Sequence, residues 1–318
     1  MTAAPASPST RRISPRAWIL TSPILLLALV PFFANYQAAS RAGQTFTRDW
    51  AVDLLNSVEP YGILVTGGDN DTFPLWYAQE VEGVRKDVTV AVTSLLGTDW
   101  YVRGIIRRPV WPYDPAAGPA IYRATSWSRP EAAALRMTMS EADAIPPYVQ
   151  FGAPQQFVKD SIVATIPAGV LTRDQIIVLR FIKDSFPERP LYFSSAAIAR
   201  PLGLGPYIIT QGLAYKLVEH PVRATGKAIV QTPYGMLDVP RSRALWATYT
   251  APKSLIRQGD WVDSSSVGIP FSYVLNAYML SQALDRQGDR ATSDQLMRTT
   301  LEMAHAAHLD ALFRGRTG

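Results

Sequence analysis

The stretch that decides the predicted fold is residues 61–103, YGILVTGGDNDTFPLWYAQEVEGVRKDVTVAVTSLLGTDWYVR. Residues 63–66 are apolar and stop at Gly67-Gly68, a pattern typical of a short buried strand. Asp71, Thr72 and Pro74 then indicate a helix start, because Asp and Thr accept hydrogen bonds from the free N–H groups of a first turn and Pro is tolerated there. Residues 88–92 predict a second buried strand. Together these elements predict a βαβ unit with parallel strands and a right-handed crossover.

Acidic and aromatic residues follow both predicted strands. Ligands of parallel sheets lie at the carboxyl ends of the strands, so these residues form the candidate ligand-binding site. Carboxylates beside exposed aromatic rings suit a sugar, a divalent cation or a peptide. An alternative needs no ligand: Asp71 or Thr72 caps one helix, Asp99 caps the next, and the aromatic side chains are core. The candidate residues are Gly68, Asp69, Asn70, Asp71, Asp99, Trp100 and Tyr101.

The rest of the chain extends this α/β prediction. Residues 191–194 predict a third parallel strand, which places Ser194-Ser195 at the same end of the sheet. Residues 271–287 and 291–308 predict two amphipathic helices separated by Gly288-Asp289, similar to one tetratricopeptide repeat. The predicted fold class is therefore α/β: a Rossmann-like parallel sheet, with an N-terminal single transmembrane helix and a C-terminal TPR-like helical pair.

The N-terminus carries the prediction of a membrane anchor. Residues 1–16 are rich in Ala, Pro, Ser and Thr, which indicates a disordered tail. Residues 17–40 contain an apolar run near the minimum length that spans a bilayer. A signal peptide cleaved near Ala38-Ala39-Ser40 and a buried core helix are the alternatives. The anchor predicts an α/β extracytoplasmic domain over residues 41–225 and a C-terminal segment over 226–318 that ends in the helical hairpin.

Composition excludes several kinds of site. The 318 residues carry a formal net charge of +5 and contain no cysteine. The arginines are spread along the chain, so no basic run indicates nucleic acid. Without cysteine the chain has neither disulfides nor thiolate metal sites. His305 and His308 are two possible metal ligands, but no third ligand is evident in the sequence. We therefore predict no metal site and no cofactor, and the sequence assigns no catalytic residue.

Several blocks of the chain resemble a known family. They are GDNDTFPLWY at 68–77, QEVEGVR at 79–85, Asp87-Val88, SLL at 94–96, TDWY at 98–101, RPLYF at 189–193 and GLAYKLV at 212–218. These blocks resemble the bacterial relatives of the transmembrane protein O-mannosyltransferases, a domain-of-unknown-function (2723) family. Its members have a multi-spanning, GT-C-like membrane part and a C-terminal extramembrane part. Gly67 departs from the family pattern, which has Asn at this position.

The resemblance implies a location and the first of two functional hypotheses, which belong to different classes. The family's catalytic acidic residue belongs to a loop between early membrane helices, and this chain begins at what resembles the last one, so no carboxylate here inherits that role. The first hypothesis is therefore a non-catalytic module of a protein O-mannosyltransferase-like system at the bacterial inner membrane, single-pass with its C-terminal domain extracytoplasmic. It would bind a polypeptide or glycan acceptor, or assemble with a multi-spanning GT-C-like partner. The second is an independent carbohydrate-active or metal-dependent enzyme that uses Asp69, Asp71 and Asp99. A truncated or split family member is a third.

Overall fold

The computed structural model describes residues 19, 22–24, 26, 27, 29–261 and 263–313. The chain divides into two units, residues 1–44 and residues 45–318. In the first unit the described helix is α1, Leu29–Ala39. The predicted tail, residues 1–16, lies outside the described residues, and so does part of the predicted anchor.

The second unit alternates short strands with helices. Its strands are β1 (Ile63–Thr66), β2 (Thr89–Val92), β3 (Tyr148–Phe151), β4 (Gln155–Lys159), β5 (Ile162–Ile166), β6 (Gly169–Thr172), β7 (Leu191–Phe193), β8 (Ile208–Gln211), β9 (Ala214–Leu217), β10 (Ile229–Thr232) and β11 (Gly235–Asp238). Its α-helices are α2 (Phe46–Ser57), α3 (Asp69–Glu80), α4 (Thr93–Leu96), α5 (Asp99–Arg107), α6 (Met139–Asp143), α7 (Arg173–Ser185), α8 (Ala196–Ala199), α9 (Val239–Trp246), α10 (Ala251–Gln258), α11 (Gly268–Arg286) and α12 (Arg290–Ala306). Short 3-10 turns cover Ala120–Tyr122, Arg200–Leu202, Gly205–Tyr207, Ser264–Ser266 and Asp310–Phe313.

Across the described residues, seven strands form one mixed sheet in the order β10-β11-β8-β9-β7-β1-β2. β1 pairs in parallel with β2 on one side and with β7 on the other, so the βαβ unit and the third parallel strand are present. β9 is antiparallel to both β7 and β8, and β10 is antiparallel to β11. β3 pairs with β6, and β4 with β5, in two separate two-stranded sheets.

The prediction of a Rossmann-like parallel sheet is therefore wrong, because two tight turns reverse the chain. Gly212 joins β8 to β9 with a φ of +61°, and Gly235 begins β11 with a φ of +137°. Glycine reaches these backbone angles without the Cβ clash that other residues have. Each turn lays a strand antiparallel to its predecessor, so the sheet is mixed: it is parallel where β1 meets β2 and β7 and where β11 meets β8.

The predicted transmembrane helix over residues 17–40 is also wrong: among the described residues, no helix combines the length and the apolar character needed to cross a membrane. Helix α1 has 11 residues. The C-terminal helical pair, by contrast, is present as α11 and α12.

The sheet is buried on both faces, as the unbroken apolar strands predict. All four residues of β1 are buried. Ile63 and Val65 pack on the face that includes Phe181 of α7. Leu64 packs on the other face, among side chains of α2 and α11. Successive side chains of a strand point to opposite faces, so β1 lies at the centre of both cores.

Charged side chains are buried at the amino ends of the central strands. Arg85 and Asp87 form an ion pair of 2.9 Å. Arg189, just before β7, donates to the carbonyl oxygen of Tyr61 at 2.9 Å and to Oγ1 of Thr89 at 2.8 Å. Burial lowers the pKa of Arg189 to about 10, which leaves its guanidinium charged at neutral pH. These contacts fasten the loops at this end of the sheet.

Candidate functional site

The acidic loop after β1 is held in shape by Asp71. Its carboxylate accepts hydrogen bonds from the backbone N–H groups of Gly67 at 2.9 Å and Gly68 at 2.8 Å. It also accepts from Oγ of Ser194, which follows β7, at 2.7 Å. A carboxylate in the first turn satisfies N–H groups that the helix leaves free. Asp71 therefore fixes the start of α3 and ties it to the neighbouring strand end.

A cavity of about 880 Å³ opens beside this loop. It lies beyond the carboxyl ends of β1 and β7, where parallel strands of α/β proteins receive ligands. The loop after β1, the segment after β7, the β10–β11 turn and the first turns of α11 form its wall. The polar side chains that line it are Asp69, Asn70, Asp71, Ser94, Ser194, Ser195, Arg200, Tyr215, Tyr234, Ser265, Ser266, Ser272 and Asn276.

Some of these polar groups are occupied by the fold. Ser195 accepts from the N–H group of Ala197 and caps α8. Oγ of Ser272 donates to the carbonyl oxygen of Ile269 at 2.7 Å. Arg200 donates to the carbonyl oxygen of Tyr234 at 3.0 Å, which attaches the β10–β11 turn to the cavity wall. These contacts shape the cavity and leave a smaller set of groups for a ligand.

The remaining groups have hydrogen-bonding capacity to spare. The exposed carboxylate of Asp69 and the exposed hydroxyl of Ser94 have no hydrogen-bond partner among the described residues. Asn276 is only 7% exposed, and its buried Oδ1 has no hydrogen-bond donor among the described residues. Burial raises the pKa of the Tyr215 phenol, against the opposing effect of Arg200, so this hydroxyl stays protonated at neutral pH and can donate. The cavity therefore offers both hydrogen-bond donors and acceptors to a ligand.

The predicted site residues that follow β2 lie outside the cavity. Asp99 begins α5 and pairs with Arg173 at 2.5 Å. Tyr101 is buried; its hydroxyl donates to the carbonyl oxygen of Val90, accepts from the N–H of Val92, and has its pKa raised by burial to about 12. Trp100 is 63% exposed. None of these three residues lines the cavity, whereas Gly68, Asp69, Asn70 and Asp71 all do.

The sequence predicts that Ser194 and Ser195 lie at this end of the sheet, because they follow a predicted strand. The cavity wall also contains residues that the sequence does not indicate. Arg200, Tyr215 and Asn276 come from segments far along the chain. No motif connects them to the acidic loop, and only the pairing of β9 with β7 and the packing of α11 bring them there.

Among the described residues, no group of three or more His, Asp or Glu side chains is placed to hold a metal ion. His305 contacts Asp310 and His308 contacts Asp260, so the two histidines face different partners. Asp71 is held at the start of α3, whereas Asp99 is paired with Arg173. The arrangement favours non-covalent binding over catalysis by these carboxylates.

Replacing Asp71 by alanine is expected to lower the free energy of unfolding by about 1–3 kcal/mol, because two backbone N–H groups and the Ser194 hydroxyl lose their acceptor. Asp69→Asn, two residues earlier, removes no contact of the fold and is the matched control. Urea denaturation of both variants measures the difference. An Asp69→Asn variant less stable than Asp71→Ala would contradict this division of roles.

Comparison with protein families gives one match within this unit. A family model described as TMEM260-associated domain 2 matches residues 47–141. The matched part runs from α2 past α5 and includes both halves of the sequence-predicted site, although the segment after β7 and the start of α11 lie outside it. Comparisons with curated proteins and with solved structures gave no match.

Proposed function

We propose that this protein is a non-catalytic acceptor-binding module of a protein O-mannosyltransferase-like glycosyltransferase system, and that its polar cavity binds a polypeptide acceptor through serine and threonine hydroxyls. The observation that carries the proposal is the set of unused hydrogen-bonding groups around the cavity: Asp69, Ser94, Tyr215 and Asn276. Hydroxyl groups both donate and accept, so they match such a mixed lining. The resemblance of residues 68–77 to that family supports the choice of system.

The proposal assigns the chemistry to a partner. In the resembling family the catalytic acid belongs to the multi-spanning membrane part, so we propose a GT-C-like protein of that kind as the partner and an extracytoplasmic location for the module. Binding pockets need only a few well-placed polar groups to orient a ligand. A module that holds the hydroxylated segment in position would raise its local concentration at the partner's active site.

An independent enzyme is the less favoured reading of the same residues. Paired carboxylates work together in glycoside chemistry when they face each other across one reacting bond. Here Asp71 is held by two N–H groups and a serine, and Asp99 is paired with Arg173 outside the cavity. Only Asp69 remains unused, and a single carboxylate supports ligand recognition better than acid–base catalysis.

Calorimetric titration of the full chain with a synthetic Ser/Thr-rich peptide tests the proposal. We expect the peptide to bind and a version with alanine in place of every Ser and Thr to lose binding. Asp69→Asn is expected to weaken binding about tenfold, since a charge-assisted hydrogen bond becomes a neutral one. Asp99→Asn, outside the cavity, is expected to have no effect. Equal affinity for the two peptides, or a larger effect of Asp99→Asn, would overturn the proposal.

A further inference from the structure

A second cavity adjoins the polar one. It is a groove of about 350 Å³ between the β10–β11 hairpin, α11 and the 3-10 turn Asp310–Phe313. Its lining is mostly apolar and includes Val230, Pro233, Val274, Met279 and Leu312. Three further side chains, Tyr234, Phe271 and Leu275, line both the groove and the polar cavity. The two cavities therefore share one wall, with a hydrogen-bonding surface on one side and an apolar surface on the other.

We infer that the groove binds an apolar side chain of the same acceptor polypeptide, a few residues from the serine or threonine held in the polar cavity. This inference rests on the proposed function and adds a specificity to it: the module selects hydroxylated segments that carry a neighbouring large apolar residue. Burial of an apolar side chain is favourable in proportion to the area removed from water, so such a groove discriminates between peptides of equal hydroxyl content.

The accessibility of the groove supports an external occupant. Leu312 is 43% exposed and Tyr234 is 45% exposed, although both line the groove. Exposed apolar side chains that border a concave surface are typical of interaction sites, whereas isolated ones are common on any surface. Here Leu312 lines the groove alone, and Tyr234 belongs to the wall that the groove shares with the polar cavity.

The sheet topology favours a polypeptide as the occupant. Among the described residues, β10 is the terminal strand on its side of the seven-stranded sheet, so no strand neighbours its outer edge. On that edge the carbonyl oxygen of Ile229 accepts from the N–H group of Thr225 at 3.0 Å, which leaves the backbone groups of Gln231 for a peptide. Val230 and Thr232 of β10 line the groove, and Gln231 between them is exposed. An extended peptide that pairs with an edge strand places alternate side chains on one face of the sheet. A peptide beside β10 would therefore direct every second side chain towards the groove. An alkyl chain, the alternative apolar occupant, has no backbone that could pair with β10 in this way.

Two Ser/Thr-rich peptides that differ only by a single phenylalanine or alanine test the inference on the full chain. We expect the phenylalanine peptide to bind about tenfold more tightly. Leu312→Glu is expected to abolish that difference and to leave the affinity for the alanine peptide unchanged. Leu301→Glu is the matched control, because Leu301 is 36% exposed on α12 and lies outside the groove.

The outcomes separate this inference from the proposed function. If both peptides bind equally and both weaken with Asp69→Asn, the groove inference fails and the proposed function stands. If neither peptide binds, the proposed function fails and the inference fails with it. Octyl glucoside serves as the alkyl-chain probe. Octyl glucoside binding that depends on Leu312, without any preference for the phenylalanine peptide, would assign the groove to an alkyl chain and overturn the inference.

Discussion

Replacing Asp87 by alanine is expected to lower the free energy of unfolding by about 3–5 kcal/mol, the usual cost of leaving a buried charge without its partner. Asp87 accepts two hydrogen bonds from the Arg85 guanidinium, at 2.9 and 3.0 Å, and a third from the N–H group of Tyr61 at 3.0 Å. Both charged side chains are almost completely buried. Without Asp87, the partners that the guanidinium keeps among the described residues are the carbonyl oxygen of Leu55 and the nearby tyrosine rings.

A surface ion pair provides the control for this effect. Arg103 and Asp143 are 2.5 Å apart, and both side chains are substantially exposed. Because solvent and salt screen such pairs, Asp143→Ala is expected to leave stability nearly unchanged. Urea denaturation at equal ionic strength compares the two variants. Similar losses of stability in the two variants would show that burial does not determine how much the Arg85–Asp87 ion pair contributes to the free energy of unfolding.

The second large effect is expected for Gly203→Ala. Gly203 has a φ of +72°, and a Cβ there would lie 2.3 Å from the carbonyl oxygen of Thr165 in β5. A backbone atom cannot rotate away, so either the β4–β5 hairpin or the turn before β8 must move. The left-handed backbone angle and the overlap together are expected to lower the free energy of unfolding by about 2–5 kcal/mol.

Gly83→Ala separates the two contributions. Gly83 has the same φ of +72°, but a Cβ there meets nothing within 4 Å. This variant therefore measures the cost of the left-handed angle alone, about 1–2 kcal/mol. Thermal and urea unfolding of both variants gives the difference that belongs to the contact with Thr165. Equal losses would mean that the hairpin adjusts freely and does not hold this turn.

The part of the fold that could be predicted from the sequence is the part fixed by local signals. β1 ends at Gly67-Gly68, α3 begins with Asp71 at its cap, and β2 follows within the same short stretch. Each of these elements is marked by residues next to it in the chain. The same locality explains why Asp69, Asn70 and Asp71 could be placed correctly at the end of a strand.

The remaining features depend on contacts between distant segments. β9 enters the sheet between β7 and β8, and nothing near residues 214–217 indicates which strand it will join. Asn276 reaches the cavity because α11 packs there, more than 200 residues after the acidic loop. Asp99 follows a parallel strand, as Asp69 does, which predicts that the two lie together. Its partner is instead Arg173 at the start of α7, and no local sequence signal indicates that pairing. The apolar run near the N-terminus has the composition of an anchor, but no helix among the described residues has the length and apolar character needed to cross a membrane.

Photo-crosslinking locates the proposed acceptor site most directly. A Ser/Thr-rich peptide that carries a diazirine group is bound to the full chain, irradiated and mapped by mass spectrometry. Binding in the polar cavity predicts crosslinks to residues 68–71 and 194–200, and their loss in the presence of excess unlabelled peptide. Crosslinks concentrated at residues 99–101, or spread evenly over the surface, would contradict the assignment of this cavity as the acceptor site.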